Sequence, residues 1–233
     1  RQHGSNGLAF DAEGRLLVCE HGRRRVLRLE RNGMSSVLAG DFGGLRLNSP
    51  NDVTVRGDGA VVFSDPPFGL PAFHDDPRRE LPHFGVYAVR DGRTTLLDGT
   101  LRGPNGLDFA PGDRTLYVGN WDEAHKVVVR YELGDDLAVR ERSLLVDLTR
   151  EPGDEAIDGV KCDERGNVWI SGPGGVWIVS PRGEQLGLLR CPEQPANFAW
   201  GGPDGRTLFL CARTGLYRLQ TLVRAAGAPE VGS

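Results

Sequence analysis

Asn6, Asn51, Asn105, Asp158 and Asn197 each open an apolar run that is followed by a charged turn and a second apolar run, and they stand 45, 54, 53 and 39 residues apart. Carboxamide and carboxylate oxygens are hard donors, suited to Ca²⁺ or Mg²⁺ with water completing the shell and unsuited to soft-metal sites. Asp158 is the only acid among the five. It is therefore both a candidate ligand and the natural general base beside a polarised water. Asn and Asp at strand starts are also ordinary Asx-turn residues, and spacing alone leaves the metal and turn readings both open. The densest opening is Arg46-Leu47-Asn48-Ser49-Pro50-Asn51-Asp52-Val53, which leads through an apolar strand to Ser64-Asp65-Pro66-Pro67-Phe68-Gly69.

The elements that must position these residues are short strands. The first repeat reads 6–10, 15–19, 25–29 and 36–38, with Asp11-Ala12-Glu13-Gly14 and Asn32-Gly33 as turns. That is four strands with turn chemistry between them. The second repeat gives 51–55, 60–63, 85–89 and 95–97, the third 105–109, 115–118, 126–131 and 144–146, and the fourth 158–162, 168–170, 175–179 and 185–189. The fifth gives 197–200, 207–210 and 215–219, with no clear fourth strand. No window shows sustained period-3.6 apolarity, so a helical reading fails. Four-stranded units at such a period predict an all-β propeller in which the first strand of each blade lines a central channel. Residues 1–233 are expected to form a single β-propeller domain. Its closure is the open point, because a blade without its fourth strand leaves an exposed edge.

Bulk properties narrow the function. At 233 residues an all-β chain can fold as one domain. The 33 glycines and 15 prolines are dispersed between apolar runs, as many tight turns require. A formal net charge of -4 argues against a nucleic-acid partner held by phosphate neutralisation. No apolar stretch reaches the length of a membrane span and no signal-type segment opens the chain, so no membrane partner is expected. Cys19, Cys162, Cys191 and Cys211 have no CxxC spacing, and they read as small buried hydrophobes in a reducing compartment. A cytoplasmic location follows, or a periplasmic one if an upstream segment has been removed before Arg1. Nucleophile-elbow, P-loop, dinucleotide-binding and HExxH patterns are absent.

Seven runs carry a family resemblance that covers essentially the whole chain in order. They are Ser5-Asn6-Gly7-Leu8-Ala9-Phe10-Asp11, Gly14-Arg15-Leu16-Leu17-Val18-Cys19-Glu20-His21, Arg24-Arg25-Val26, the Arg46–Val53 stretch, Ser64-Asp65-Pro66-Pro67-Phe68-Gly69, Pro104-Asn105-Gly106-Leu107 and Ile157-Asp158-Gly159-Val160. Together they resemble the gluconolactonase and regucalcin-like family. The resemblance implies a six-bladed β-propeller with calcium in the central channel and hydrolysis of sugar lactones. Carried over by motif, Asn105 and Asp158 match metal ligands, Asp158 also matches the acid/base, and Asn51 matches a residue at metal or substrate. The family's first ligand is a glutamate in a Glu-Gly-Pro segment, which this chain lacks. The expectation is that about five blades are present and the first is missing.

The resulting mechanism has calcium, with Zn²⁺ or Mg²⁺ as alternatives, held by Asn51, Asn105 and Asp158. Asp158 assists attack by water, and Asn51 and Arg46 contact the substrate. Arg46 also has a structural reading, tying its loop to an acid. Glu20 and His21 can face the channel or lie on a charged surface, and the 66–82 loop, a lid or a solvated insertion, reads better as the insertion. The expected partner is a small-molecule lactone, and the chain a monomer or homodimer. Competing functions are a non-catalytic binding platform or inactive fragment, and a phosphotriesterase-like hydrolase in the same channel.

Overall fold

The computed structural model describes residues 4–153 and 155–227, and it is almost entirely β-structure. The chain forms two compact units, Arg1–Asn105 and Gly106–Ser233. In the first unit, β1 (Ser5–Phe10), β2 (Leu16–Glu20), β3 (Arg25–Leu29) and β4 (Ser35–Ala39) make an antiparallel meander. A small hairpin follows, β5 (Asp41–Phe42) and β6 (Leu45–Arg46). It turns on Gly43-Gly44, whose positive φ values of 63° and 82° only glycine adopts without strain. The second meander comprises β7 (Val53–Val55), β8 (Val61–Asp65), β9 (Gly85–Arg90) and β10 (Arg93–Asp98).

In the second unit, β11 (Pro104–Phe109) begins a sheet with β12 (Thr115–Asn120), β13 (Val127–Leu133) and β14 (Val139–Asp147). The fourth sheet is β15 (Val160–Cys162), β16 (Val168–Gly172), β17 (Gly175–Val179) and β18 (Gln185–Leu189). The fifth has three strands, β19 (Pro195–Gly201), β20 (Thr207–Ala212) and β21 (Leu216–Gln220). These five sheets are propeller-type blades, and the sixth that the resemblance implies is not among the described residues. Every strand expected from the repeats is present. No helix among the described residues is long and apolar enough to cross a membrane.

Burial follows position within each blade. The second strands β8 and β16 are buried at every residue, whereas the outer strands β14, β18 and β21 are mostly exposed or half-buried. A strand covered on both faces reads as a continuous apolar run and an outer strand does not. Leu17, Cys19 and Val26 of the first sheet pack on Val53, Phe63 and Tyr87 of the second. In the second unit Tyr117 and Val128 pack on Val160, Val168 and Ile170, and Trp169 packs on Phe198 and Leu208. Each fully buried side chain of this size contributes about 2 kcal/mol by removal from water.

Two expectations change. Cys211 is exposed, although its apolar run suggested the core. Leu208 and Leu210 take the inward positions of β20, so the alternation of side chains turns residue 211 out. The 66–82 loop is packed. Leu70, Asp76 and Leu81 are buried, and His74 and Arg79 meet the Phe84 ring edge-on and from above.

Candidate functional site

The stretch before β7 is fixed by backbone hydrogen bonds and one carboxylate. Asp65 is fully buried and accepts from the Asn48 amide N–H (2.7 Å), the Asn48 side-chain amide (3.0 Å) and the Ser49 N–H (2.7 Å). Burial pushes its carboxyl up to about 7, against the lowering pull of those donors and of the Arg24 charge. The Ser49 hydroxyl donates to the Pro66 carbonyl and accepts from the Gly69 N–H (2.9 Å). Thus the runs Asn48–Asp52 and Ser64–Gly69, apart in sequence, are one structural unit.

Arg24 completes the frame from the other side. It is 7% exposed, and its guanidinium donates to the carbonyls of Leu47 (2.5 Å), Arg78 (2.9 Å) and Arg46 (3.4 Å). Arg46 itself is exposed. Its N–H donates to Glu80 (2.8 Å), and its guanidinium reaches the Arg23 carbonyl at 3.4 Å. The buried structural arginine of this loop is Arg24, which leaves the Arg46 side chain at the surface.

Asn51 follows directly. Its N–H donates to the Ser64 carbonyl (2.8 Å) and its carbonyl accepts from Gly7 N–H (2.6 Å). The backbone is therefore saturated, and the side chain plays no part in that. Asn51 is 6% exposed and Asn105 3% exposed, and neither carboxamide has a hydrogen-bond partner among the described residues. Their polar atoms are not among the orphaned buried ones, which are Asn48 Oδ1, Arg79 Nε and Arg224 Nε, so both carboxamides keep their hydrogen-bonding capacity open to solvent or a ligand.

In the second unit the same frame surrounds Asp158. Its N–H donates to the Ser171 carbonyl (3.1 Å), Ser171 N–H returns a bond to Gly159 (2.8 Å), and the Asp158 carbonyl accepts from Gly106 N–H (2.8 Å). Gly159 N–H donates to Ala196 (2.8 Å). The glycines that follow Asn105 and Asp158 are explained by these bonds. A Cβ on Gly106 would strike the Asp158 carbonyl, and one on Gly159 would lie 2.5 Å from Asn197 Oδ1. Asp158 is half-buried, at the opening of β15 and just outside its regular rungs.

The site residues divide between the units. Arg46, Asn51 and Asn105 belong to the first, and Asp158 to the second. Asn51 and Asp158 each lie two residues before their strands, Asn105 is the second residue of β11, and Arg46 lies on the small hairpin. Among the described residues no group of three or more His, Cys, Asp or Glu is placed to hold a metal. Amide oxygens and a carboxylate are hard donors, a set that fits Ca²⁺ in chemical type. Sequence reasoning missed Asp65, Arg24 and the paired serines. The serines had a signal, since Ser64 follows Asn51 and Ser171 follows Asp158 by the same 13 residues.

The chain is similar to known gluconolactonases in sequence and in structure. The gluconolactonase of Zymomonas mobilis is 35% identical over 228 residues, which cover 95% of this chain and 64% of that protein. Lactonohydrolase oryL of Aspergillus oryzae is 23% identical over 213 residues, 81% of this chain and 48% of its own length. The chain thus spans less than two thirds of either relative. The solved structure of a gluconolactonase from Xanthomonas campestris superimposes with a TM-score of 0.81 at 33% identity, covering 94% of this chain and 72% of that one. Residues 1–214 match the SMP-30/Gluconolactonase/LRE-like region, and the chain belongs to that family.

Proposed function

We propose that this protein hydrolyses the ring ester of a sugar lactone to the open aldonic acid. The observation that carries the reading is the pair of carboxamides, Asn51 and Asn105, that have no hydrogen-bond partner among the described residues and stand, like the carboxylate of Asp158, at strand openings. Kinship with the Zymomonas and Xanthomonas gluconolactonases supports the substrate class. The six-bladed architecture implied by the family resemblance belongs to the same proposal.

Asn51, Asn105 and Asp158 would hold a divalent cation, Ca²⁺ by donor type, which when bound supplies Lewis-acid polarisation of the lactone carbonyl. Asp158 accepts the proton of the attacking water. The acyl carbon–ring oxygen bond then breaks, and the proton passes to the departing hydroxyl. Asn51 orients the substrate, with its own backbone pinned by Ser64 and Gly7 so that the amide holds a fixed direction. Arg46, exposed on its hairpin, offers a guanidinium to the substrate's polar periphery.

The test is acid release from glucono-δ-lactone at constant pH, corrected for spontaneous opening, on protein stripped with chelator and then given Ca²⁺. Turnover restored by the metal supports the proposal. Absence of turnover with any divalent ion overturns it.

A further inference from the structure

One polar pair in the first unit is used neither by the frame nor by the proposed reaction. The Asn6 side-chain amide donates to His21 Nε2 at 2.9 Å. Nε2 is then the acceptor and the imidazole carries its proton on Nδ1. Burial pushes the ring down to about 4, which keeps it neutral above that pH. Neither Asn6 Oδ1 nor His21 Nδ1 has a hydrogen-bond partner among the described residues. The pair therefore presents an acceptor and a donor together.

Its surroundings fix it next to Asn51. Residue 4 accepts from the His21 N–H (3.2 Å), while Gly7 donates to the Asn51 carbonyl (2.6 Å), so the start of β1 is held from both sides. Gly69 lies where an added Cβ would be 2.7 Å from both the His21 and the Ser49 Cβ atoms. His21 thus packs through Gly69 against Ser49, two residues before Asn51. Asn6, His21, Gly69, Ser49, Asn51 and Gly7 form a closed circuit of contacts. The neighbouring Glu20 is occupied, its carboxylate ion-paired with Arg25 and, at 3.9 Å, with Arg23.

We propose that Asn6 and His21 are substrate-positioning residues that hydrogen-bond the hydroxyl groups of a polyhydroxylated lactone beside Asn51. This deepens the lactonase reading and rests on it. A hydroxyl both donates and accepts, so Asn6 Oδ1 and His21 Nδ1–H suit one hydroxyl or a vicinal pair. A lactone without hydroxyls gains nothing from the clamp.

The experiment compares wild type, Asn6→Ala, His21→Leu and His21→Gln on glucono-δ-lactone and on δ-valerolactone, which has the same ring and no hydroxyls. For glucono-δ-lactone, Asn6→Ala and His21→Leu are expected to raise KM about tenfold with kcat little changed, as loss of uniform binding does. For δ-valerolactone KM should not move, and His21→Gln, which keeps a donor, should recover part of the loss. Equal shifts on both lactones, or no shift on either, overturn the assignment and leave the lactonase reading intact. If the wild type has no turnover, titration calorimetry with D-gluconate decides. Binding that both variants weaken about tenfold upholds the clamp without the reaction, and absence of binding overturns both.

Discussion

The openings of β7 and β15 share a backbone and differ in what their side chains do. At each, a polar residue donates to a serine carbonyl 13 positions later, and that serine's N–H returns to the next residue, Asp52 in one case and Gly159 in the other. After Asn51 comes Asp52, 2% exposed, whose N–H meets the Ser64 hydroxyl at 3.0 Å. After Asp158 comes Gly159, whose N–H meets the β19 carbonyl of Ala196. After Ser64 comes Asp65, which anchors the preceding loop; after Ser171 comes Gly172, whose carbonyl accepts from Gln194 (2.9 Å). One frame thus serves two purposes. In the first unit it stiffens a long loop, and in the second it lets a neighbouring strand approach closely behind a carboxylate.

The sharpest way to break this comparison is to exchange the polar residues. Asp158→Asn should lower lactone turnover by about 10²–10⁴, the range for loss of a general base, with the urea midpoint unchanged. Adding Asn51→Asp to that variant should not restore it, and restored turnover would show that the two openings are chemically equivalent. Next in size are the following residues. Gly159→Ala should cost about 3 kcal/mol in urea unfolding, because its Cβ meets Asn197 and the Ala196 carbonyl. Asp52→Gly should cost only about 1 kcal/mol. Equal costs would mean that close strand approach is not what distinguishes the openings.

A smaller effect is read in pH. The folded-state pKa of Asp65 is raised, so its contribution to stability is full below the unfolded value of 3.8 and is lost as pH rises to about 7. His21 is lowered to about 4 from 6.5, so its contribution is full above 6.5 and lost as pH falls through about 4. The two oppose each other between pH 4 and 6.5. Asp65→Asn should leave the His21 slope alone, so that stability rises with pH across that window more steeply than in the wild type. Urea midpoints at intervals of half a pH unit test this, and parallel curves would place the Asp65 carboxyl at its ordinary value. Smallest is Arg46→Ala. Stability should change by less than about 0.5 kcal/mol at this exposed position, while KM for glucono-δ-lactone rises a fewfold.

The amino-acid sequence alone determined the strand array, because period-2 apolar runs between Gly-, Asn- and Asp-rich turns admit few alternatives once they recur. It also determined that Asn51 and Asp158 open with the same backbone bonds, since equal grammar gives equal backbone. The fixed 13-residue offset of Ser64 and Ser171 was equally legible. The tertiary structure alone decided which side chains the frame consumes. Asp65 and Arg24 hold segments tens of residues away, and nothing in the local pattern distinguishes Arg24 from Arg23 or Arg25. Cys211 turned outward because β20 alternates and its neighbours took the core. Likewise the glycines at 106 and 159 owe their identity to a carbonyl from another strand. Local propensity is written in neighbouring residues, whereas hydrogen-bond partners and excluded volume come from residues that only folding brings near.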